Sequence, residues 1–357
     1  MNKKILFLVN GLGLGNSTRC YAIIQRLKRS QAKIAIMTSG NGSWFFENKS
    51  EIDEIFYNKA LHYGKNNNQL STFNTLKSLS VIFKTIKENS KKLLAVINEY
   101  KPDVIVTDSV YNFPIIKKLS IPLIGVNNAD LTIDYFKKSN QKPLSIYPQH
   151  YFVESLDNLY HKIFPDLVIS PCILKKDHNE NINKKKIRRV GPIFRLEIKK
   201  RKKRNIERGA IMLSGSSFGL EVNLKKNLSY HLDIIGREKP INTPVLSNQT
   251  FHGKILHNTN LLNNIDFCVV NAGYSALSEL YWAKIPMVVI PILNHSEQWT
   301  NAIQIKNGGC GIISSNDNYE NDLQNLLINF EMYEKNYDMI DENSDGAEEA
   351  KNLILNI

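Results

Sequence analysis

Two short stretches carry residue types that could do chemistry on an anionic ligand. The first is Val269-Val270-Asn271-Ala272-Gly273-Tyr274-Ser275-Ala276-Leu277-Ser278-Glu279, an apolar run that passes through a small-residue turn into a helical pattern. A helix starting at such a turn aims unsatisfied N–H groups and its positive dipole end outward, and phosphate is the natural guest. Glu279 stands six residues past Gly273, well into the helix, where a carboxylate repels phosphate but can accept both hydroxyls of a ribose. Turn and acid together suggest a nucleotide. The second stretch is Gly11-Leu12-Gly13-Leu14-Gly15-Asn16-Ser17-Thr18-Arg19, directly after the apolar Ile5 to Val9. Its glycines let a backbone approach a ligand, but the spacing is not the dinucleotide Gly-x-Gly-x-x-Gly with an acid at the next strand end. Binding of a nicotinamide cofactor is therefore the weaker reading. Two acids, Asp108 and Asp130, lie at or just past the ends of apolar runs, where a carboxylate could take a proton from a hydroxyl; a helix cap or turn acid is at least as good a reading of each.

The elements that must position these groups follow from the apolar patterning. Lys4 to Asn10, Lys33 to Thr38, Ile52 to Tyr57, Lys101 to Asp108, Ile121 to Asn128 and Asp166 to Pro171 read as buried strands. Tyr21, Ile24 and Leu27 repeat at helical spacing after the glycine turn, and Leu76 to Ile97 carry a three-four stripe with lysines largely off it. That stripe reads as one or two helices covering a sheet, ahead of a basic helix lying on anionic lipid. Gly209 to Gly219 opens a second series with a strand and a Gly/Ser turn at Gly215 and Ser216. Leu232 to Gly236, Phe251 to Ile255 and Pro286 to Pro291 continue it, and Glu297-Gln298-Trp299-Thr300-Asn301-Ala302 follows as a polar loop. Asp345 to Leu355 reads as a short closing helix.

Composition sets the outer bounds. With 357 residues, 42% hydrophobic and 22% charged, the chain is too long for one ordinary core and too apolar for disorder, so two globular domains are expected. The apolar run after Lys3 and Lys4 is too short for a secretory signal, and no run approaches a membrane span, so the expected location is cytoplasmic. Cys20, Cys172, Cys268 and Cys310 are scattered without metal spacing and read as reduced core thiols, with neither disulfide nor zinc. A net charge of +12 admits nucleic acid, an anionic membrane surface or phosphorylated small molecules as partners. Much of the excess sits in Lys184 to Arg189 and Lys199 to Arg204, with few aromatics between and no nucleic-acid module nearby. A solvated linker is read there ahead of a membrane-docking patch.

The small-residue turn, Glu279 six positions after its glycine, the proline-bounded strand and the Glu297-Gln298-x-x-Asn301-Ala302 run together resemble GT-B glycosyltransferases, especially the family 28 group of lipid II N-acetylglucosaminyltransferase-like UDP-sugar transferases. The first turn also resembles that family's Gly-x-Gly-x-Gly-His-x-x-Arg, with Asn16 in place of the histidine that positions or deprotonates the acceptor hydroxyl; an asparagine takes no proton near neutral pH. The resemblance implies an α/β fold of two Rossmann-like domains facing across a cleft. Residues 1–195 would form the acceptor side, 196–207 a basic linker, 208–340 the nucleotide-sugar domain, and 341–357 a helix crossing back. It also implies an inverting, metal-independent sugar transfer from a nucleoside-diphosphate sugar, with UDP the expected nucleotide, to a glycan or lipid-linked acceptor, with no cofactor. Gly13, Gly15, Gly215, Ser216, Gly273 and Ser275 would attend the donor phosphates, Glu279 the ribose, and Glu297 with Gln298 the sugar hydroxyls, with Asn301 orienting their loop. With Asn16 unable to act as base, Asp108 is the first substitute and Asp130 the second. A nucleotide-sugar hydrolase or epimerase on the same fold and a catalytically silent nucleotide-sugar binder remain as alternatives.

Overall fold

The structure is a computed structural model that describes residues 3–60, 65–66, 69–70, 79–140, 142–174, 186–202, 205–213, 229–239, 247–338 and 344–357. The chain divides into two compact units, Met1–Arg195 with Asp345–Ile357, and Leu196–Ser344. The proposed turn residues Gly215 and Ser216 lie outside the described residues.

The first unit is built on strands β1 (Lys4–Val9), β2 (Lys33–Thr38), β3 (Glu54–Tyr57), β6 (Val104–Asp108), β7 (Leu123–Val126), β8 (Leu167–Pro171) and β9 (Ile187–Val190), a small antiparallel pair β4 (Lys65–Asn66) and β5 (Gln69–Leu70) standing apart. The seven strands pair in the order β3-β2-β1-β6-β7-β8-β9, every neighbour parallel. Continuous apolar strands such as Ile5 to Val9 suit a sheet covered on both faces, and all five of those side chains are buried. One cover is the helix Leu79–Tyr100, which buries Leu93, Val96, Ile97 and Tyr100 against Leu6, Leu8 and Ile105. Another is the helix Gly15–Lys28, whose Arg26 is buried and holds the closing helix Gly346–Leu355. The Arg26 guanidinium donates to Asp345 Oδ2 at 2.8 Å and to Phe194 O at 2.9 Å, while Asp345 Oδ1 caps the closing helix through the Ala347 and Glu348 amides, both at 3.0 Å.

The second unit repeats the plan with β10 (Arg208–Met212), β11 (His231–Ile235), β12 (Gln249–Gly253), β13 (Phe267–Asn271), β14 (Met287–Ile290) and β15 (Gly311–Ile313), ordered β12-β11-β10-β13-β14-β15 and again all parallel. In each sheet the strand order reverses once, between β1 and β6 and between β10 and β13. At such a switch point the connections leave in opposite directions and open a crevice at the carboxyl edge, where open α/β sheets bind ligands. Gly11 follows β1 and Gly273 follows β13, so each glycine turn stands at its sheet's switch point.

Two sequence expectations are corrected. The basic Lys199 to Arg204 run is not solvated throughout its described part: Lys199 and Lys202 are exposed, but Arg201 is not. The Arg201 side chain is buried, its Nε donates to Asp266 Oδ1 at 3.0 Å, its Nη1 pairs with Glu334, and its backbone N–H reaches Ala283 O at 2.7 Å. Lys200 lies over the Trp282 ring at 4.4 Å. One cation of the run is thus matched to a buried Asp266 and a half-buried Glu334 brought from far along the chain, which a charge run by itself does not reveal. Likewise Glu297 to Ala302 is not a loop: it lies in the helix Ser296–Asn307, where Trp299, Ala302 and Ile305 give the buried side. All four cysteines are buried thiols, none of them in a disulfide.

Candidate functional site

In the first unit the turn after β1 combines one tightly packed glycine with one open glycine. A Cβ on Gly11 would sit 1.5 Å from Ser39 O, so that residue is glycine because another backbone crosses it. A Cβ on Gly13 would meet nothing within 4 Å, and Gly15 begins the helix with Asn16, half-buried, next in line. Leu14 at the N-cap supplies no capping side chain. The turn is held from behind by Asn41, whose N–H donates to Gly11 O at 2.9 Å and whose Nδ2 donates to Leu12 O at 2.8 Å.

Asp108 is corrected here. It does end β6 beside that turn, but its side chain points into the protein and is fully buried. Arg19 Nε donates to Oδ2 at 2.9 Å and Nη2 to Oδ1 at 2.7 Å, a bidentate fork that occupies both carboxylate oxygens. The Cys20 thiol, 3.5 Å from Oδ2, is pushed well above its ordinary pKa by burial and then by the Asp108 charge. A carboxylate so enclosed anchors the first turns of the helix; it does not reach an acceptor hydroxyl. Asp130 is corrected for a related reason. In the first turn of the helix Ala129–Lys138 it accepts from Ser170 Oγ at 2.5 Å and pairs with Arg189 Nη2 at 3.2 Å, tying the helix to β8 and β9.

At this sheet's carboxyl edge Asn127, expected from the sequence as a polar strand end, is joined by Asp157 and His161, which the sequence reading did not single out. Asn127, just past β7, donates from Nδ2 to Asp157 Oδ2 at 2.7 Å, and His161 Nδ1 lies 3.1 Å from Asp157 Oδ1. Burial alone would raise the Asp157 carboxyl; hydrogen bonds from His161, Asn127 and Tyr111 outweigh it and hold it below the ordinary range. Gly125 makes room for the ring, because a Cβ there would lie 2.8 Å from His161 Cδ2. Asp157 and His161 stand four apart, a spacing visible in the sequence once a helix is assumed.

In the second unit Gly273 is the N-cap of the helix Tyr274–Trp282. As N-cap, Gly273 brings no capping side chain to that helix, and a Cβ there would meet nothing within 4 Å. Around this turn the polar side chains serve the backbone. Asn271 Nδ2 donates to Ile290 O at 3.0 Å, joining β13 to β14, and Asn301 Nδ2, fully buried, donates to Ala272 O at 3.1 Å. Gln298 Oε1 accepts from Ile292 N at 3.0 Å. Asn301 therefore steadies the glycine turn itself, and Gln298 fixes the segment after β14 while its amide nitrogen is a further donor. Ser275 is buried in the first helical turn, and Glu279, one turn on, is 2% exposed. Glu297 is half-buried in the first turn of its helix beside His295, whose imidazole is pushed below its ordinary pKa by burial against the opposing pull of Glu297. A pocket lined by Glu207, Arg208, Asn260, Leu261, Asn264 and Asp266 lies at the amino end of β10, the wrong edge of the sheet for this turn.

Residues 3–330 match the family model described as Glycosyl transferase family 1. Two curated relatives, uncharacterized glycosyltransferases of Methanosarcina acetivorans and Methanosarcina mazei, are each 23% identical to the chain over 332 and 334 residues, covering 86% of it and 84% of the relative. Among solved structures, Arabidopsis thaliana UGT89C1 complexed with quercetin superposes with a TM-score of 0.67 at 12% identity, covering 100% of this chain and 99% of that one. Acinetobacter baumannii MurG superposes with a TM-score of 0.61 at 14% identity, covering 99% and 100%. At those identities the likeness is one of fold.

Proposed function

The chain belongs to glycosyl transferase family 1 and is a glycosyltransferase of the GT-B fold, and from that premise we propose that it moves a sugar from a UDP-sugar to an acceptor hydroxyl with inversion and without a metal. The observation that carries the donor half of this reading is the Gly273 turn. It stands at the switch point of the second sheet, opens a nine-residue helix without a side-chain cap, and leaves empty space where any other residue would place a Cβ. A diphosphate seated there would take hydrogen bonds from the amides of Tyr274 and Ser275 and the Ser275 hydroxyl, and the helix dipole would favour the charge that builds on the leaving group. Gly215 and Ser216 are assigned to the same diphosphate from the sequence pattern.

Glu279 is assigned to the ribose. A carboxylate withdrawn from water makes stronger hydrogen bonds to hydroxyl donors than an exposed one. Glu297 and the Gln298 amide nitrogen are assigned to the sugar hydroxyls, with Asn301 as the positioning residue that holds the Ala272 carbonyl. Gly13 and Gly15 are assigned to the donor from the sequence pattern, and Asn16 orients the acceptor hydroxyl as a hydrogen-bond partner.

The matching family model is that of family 1. The nearness to family 28, the choice of UDP and a cell-envelope glycan or lipid-linked acceptor rest on the Gly273-to-Glu279 spacing and the Glu297 to Ala302 run; a cytoplasmic site of action with peripheral membrane contact is proposed with them. No helix among the described residues is long and apolar enough to cross a membrane. Titration calorimetry with UDP, GDP and dTDP tests the donor assignment: UDP should bind best, and Glu279→Gln should weaken it by about 1 to 3 kcal/mol, the range for a charge-assisted hydrogen bond. Equal affinity of Glu279→Gln and wild type for every nucleotide would remove Glu279 from the site.

A further inference from the structure

The segment Leu144–Ile163 of the first unit is helical throughout, with a π-turn at His150–Glu154, and it is patterned inside out. From His150 onward its buried positions are polar: His150, Glu154, Asn158 and His161 recur at three- and four-residue spacing toward the protein, after the buried Ile146. Over the same stretch its exposed positions, Lys162 apart, are apolar: Tyr151, Phe152, Val153, Leu156, Leu159 and Ile163, with Phe152 at 67% and Leu156 at 58% exposure. Single exposed apolar residues are ordinary, but a continuous stripe on one helix is not.

The rim of this stripe is basic. The helix Ala129–Lys138 packs on the segment through Phe136, which stacks on His150 with ring centroids 3.5 Å apart and meets Tyr147 at 5.0 Å, and it ends in exposed Lys137 and Lys138. Lys142 lies 4.5 Å over the Phe136 ring, and the charges of Lys137 and Lys142 are both felt at His150. Lys162 is exposed on the segment itself, and Lys186 Nζ donates to its carbonyl at 2.6 Å. The nearby acids are engaged: Asp157 with Asn127 and His161, Asp166 with Lys117 at 2.6 Å, and Asp134 with Lys138 at 3.1 Å. An apolar stripe flanked by lysines, on a chain of net charge +12, matches the two layers of an anionic bilayer surface, acyl chains below and phosphate headgroups beside them.

We propose that the Leu144–Ile163 segment is an interfacial membrane anchor, lying in the plane of an anionic lipid surface with Phe152, Leu156, Leu159 and Ile163 in the acyl boundary and Lys137, Lys142 and Lys162 at the headgroups. It places this unit, with its Gly13 turn, at a lipid surface whatever the donor is. The test is co-sedimentation of the full chain with vesicles of phosphatidylcholine alone and of an equal mixture with phosphatidylglycerol. Wild type should partition onto the mixed vesicles and much less onto the neutral ones, and added salt should weaken it. Phe152→Ser with Leu156→Ser should lower partitioning roughly tenfold or more, because two inserted side chains are lost. Lys137→Glu with Lys162→Glu should lower it on the mixed vesicles and flatten the salt dependence. Both pairs replace exposed side chains and should leave the melting temperature unchanged; if the first pair lowers it, Leu159→Gln with Ile163→Gln takes its place. Wild type that stays in solution with both vesicles, or variants that sediment like wild type, overturn the proposal. So does a wild-type dimer in sedimentation velocity that binds no vesicles and that Phe152→Ser with Leu156→Ser converts to monomer; that result assigns the stripe to a second copy of the chain.

Discussion

Replacing Asp108 by Asn separates an anchoring role from a catalytic one. The substitution keeps the shape of the side chain and removes its charge, leaving the Arg19 guanidinium, whose side chain is 7% exposed, without its bidentate partner. Breaking a buried ion pair from one side costs about 3 to 5 kcal/mol, because the remaining charge stays desolvated and unmatched. For a unit of this size each kcal/mol lowers a melting temperature by about 2 to 4 °C, so the expected drop is roughly 6 to 20 °C. Scanning calorimetry of the full chain reads it. Arg19→Met combined with Asp108→Leu removes both charges and should recover much of the loss, since the cost lies in the stranded partner rather than in the missing bond. Turnover measured well below the lowered transition should survive in part. Asp108→Asn that melts within about 1 °C of wild type yet loses all turnover would rule out the anchoring role and return Asp108 to that of base.

Glycine replacements should divide by what surrounds them. Gly11→Ala forces a methyl into Ser39 O and should destabilise the first unit sharply, whereas Gly273→Ala meets open space, so the free protein should melt as wild type while nucleotide affinity by calorimetry falls. The pH dependence of stability should carry the mark of His150. Burial, with Lys142 and Lys137 beside it, pushes this imidazole down to about 4, so the unfolded chain binds a proton first as pH falls through about 6.5, and stability present above that pH drains away between about 6.5 and about 4. Urea unfolding across that window should show a shallower slope in His150→Phe, with the remainder shared by His295, whose pKa is lowered in the same direction. Asn16→His should be tolerated and should raise turnover, by up to about 100-fold if proton removal limits the rate.

The α/β class was legible because parallel strands buried on both faces read as unbroken apolar runs, and Ile5 to Val9, Val104 to Val106 and Phe267 to Val270 are such runs. The glycine turns were legible as turns because each directly follows one of them. Direction and partnership were not. Asp108 could be placed at a strand end, but its partner Arg19 lies 89 residues away, and nothing local states that the side chain turns inward. Arg201 looks like any other cation of its run until Asp266 and Glu334 are brought to it by the fold. Polar residues at Glu297, Gln298 and Asn301 hid a helix whose apolar face is only Trp299, Ala302 and Ile305. The Leu144–Ile163 segment shows the limit most plainly: periodicity reveals that a helix has two faces, and burial decides which of them the protein keeps.

Glycosyl transfer from a nucleotide sugar can be read by mass spectrometry of the purified chain incubated with a panel of nucleotide sugars, with and without membrane extract as acceptor source. One UDP-sugar should be consumed only when extract is present, with UDP released in equal amount to a glycosylated product. UDP released as fast without extract would make the protein a hydrolase, and a donor that binds but is never consumed with any acceptor would contradict the transfer reading altogether.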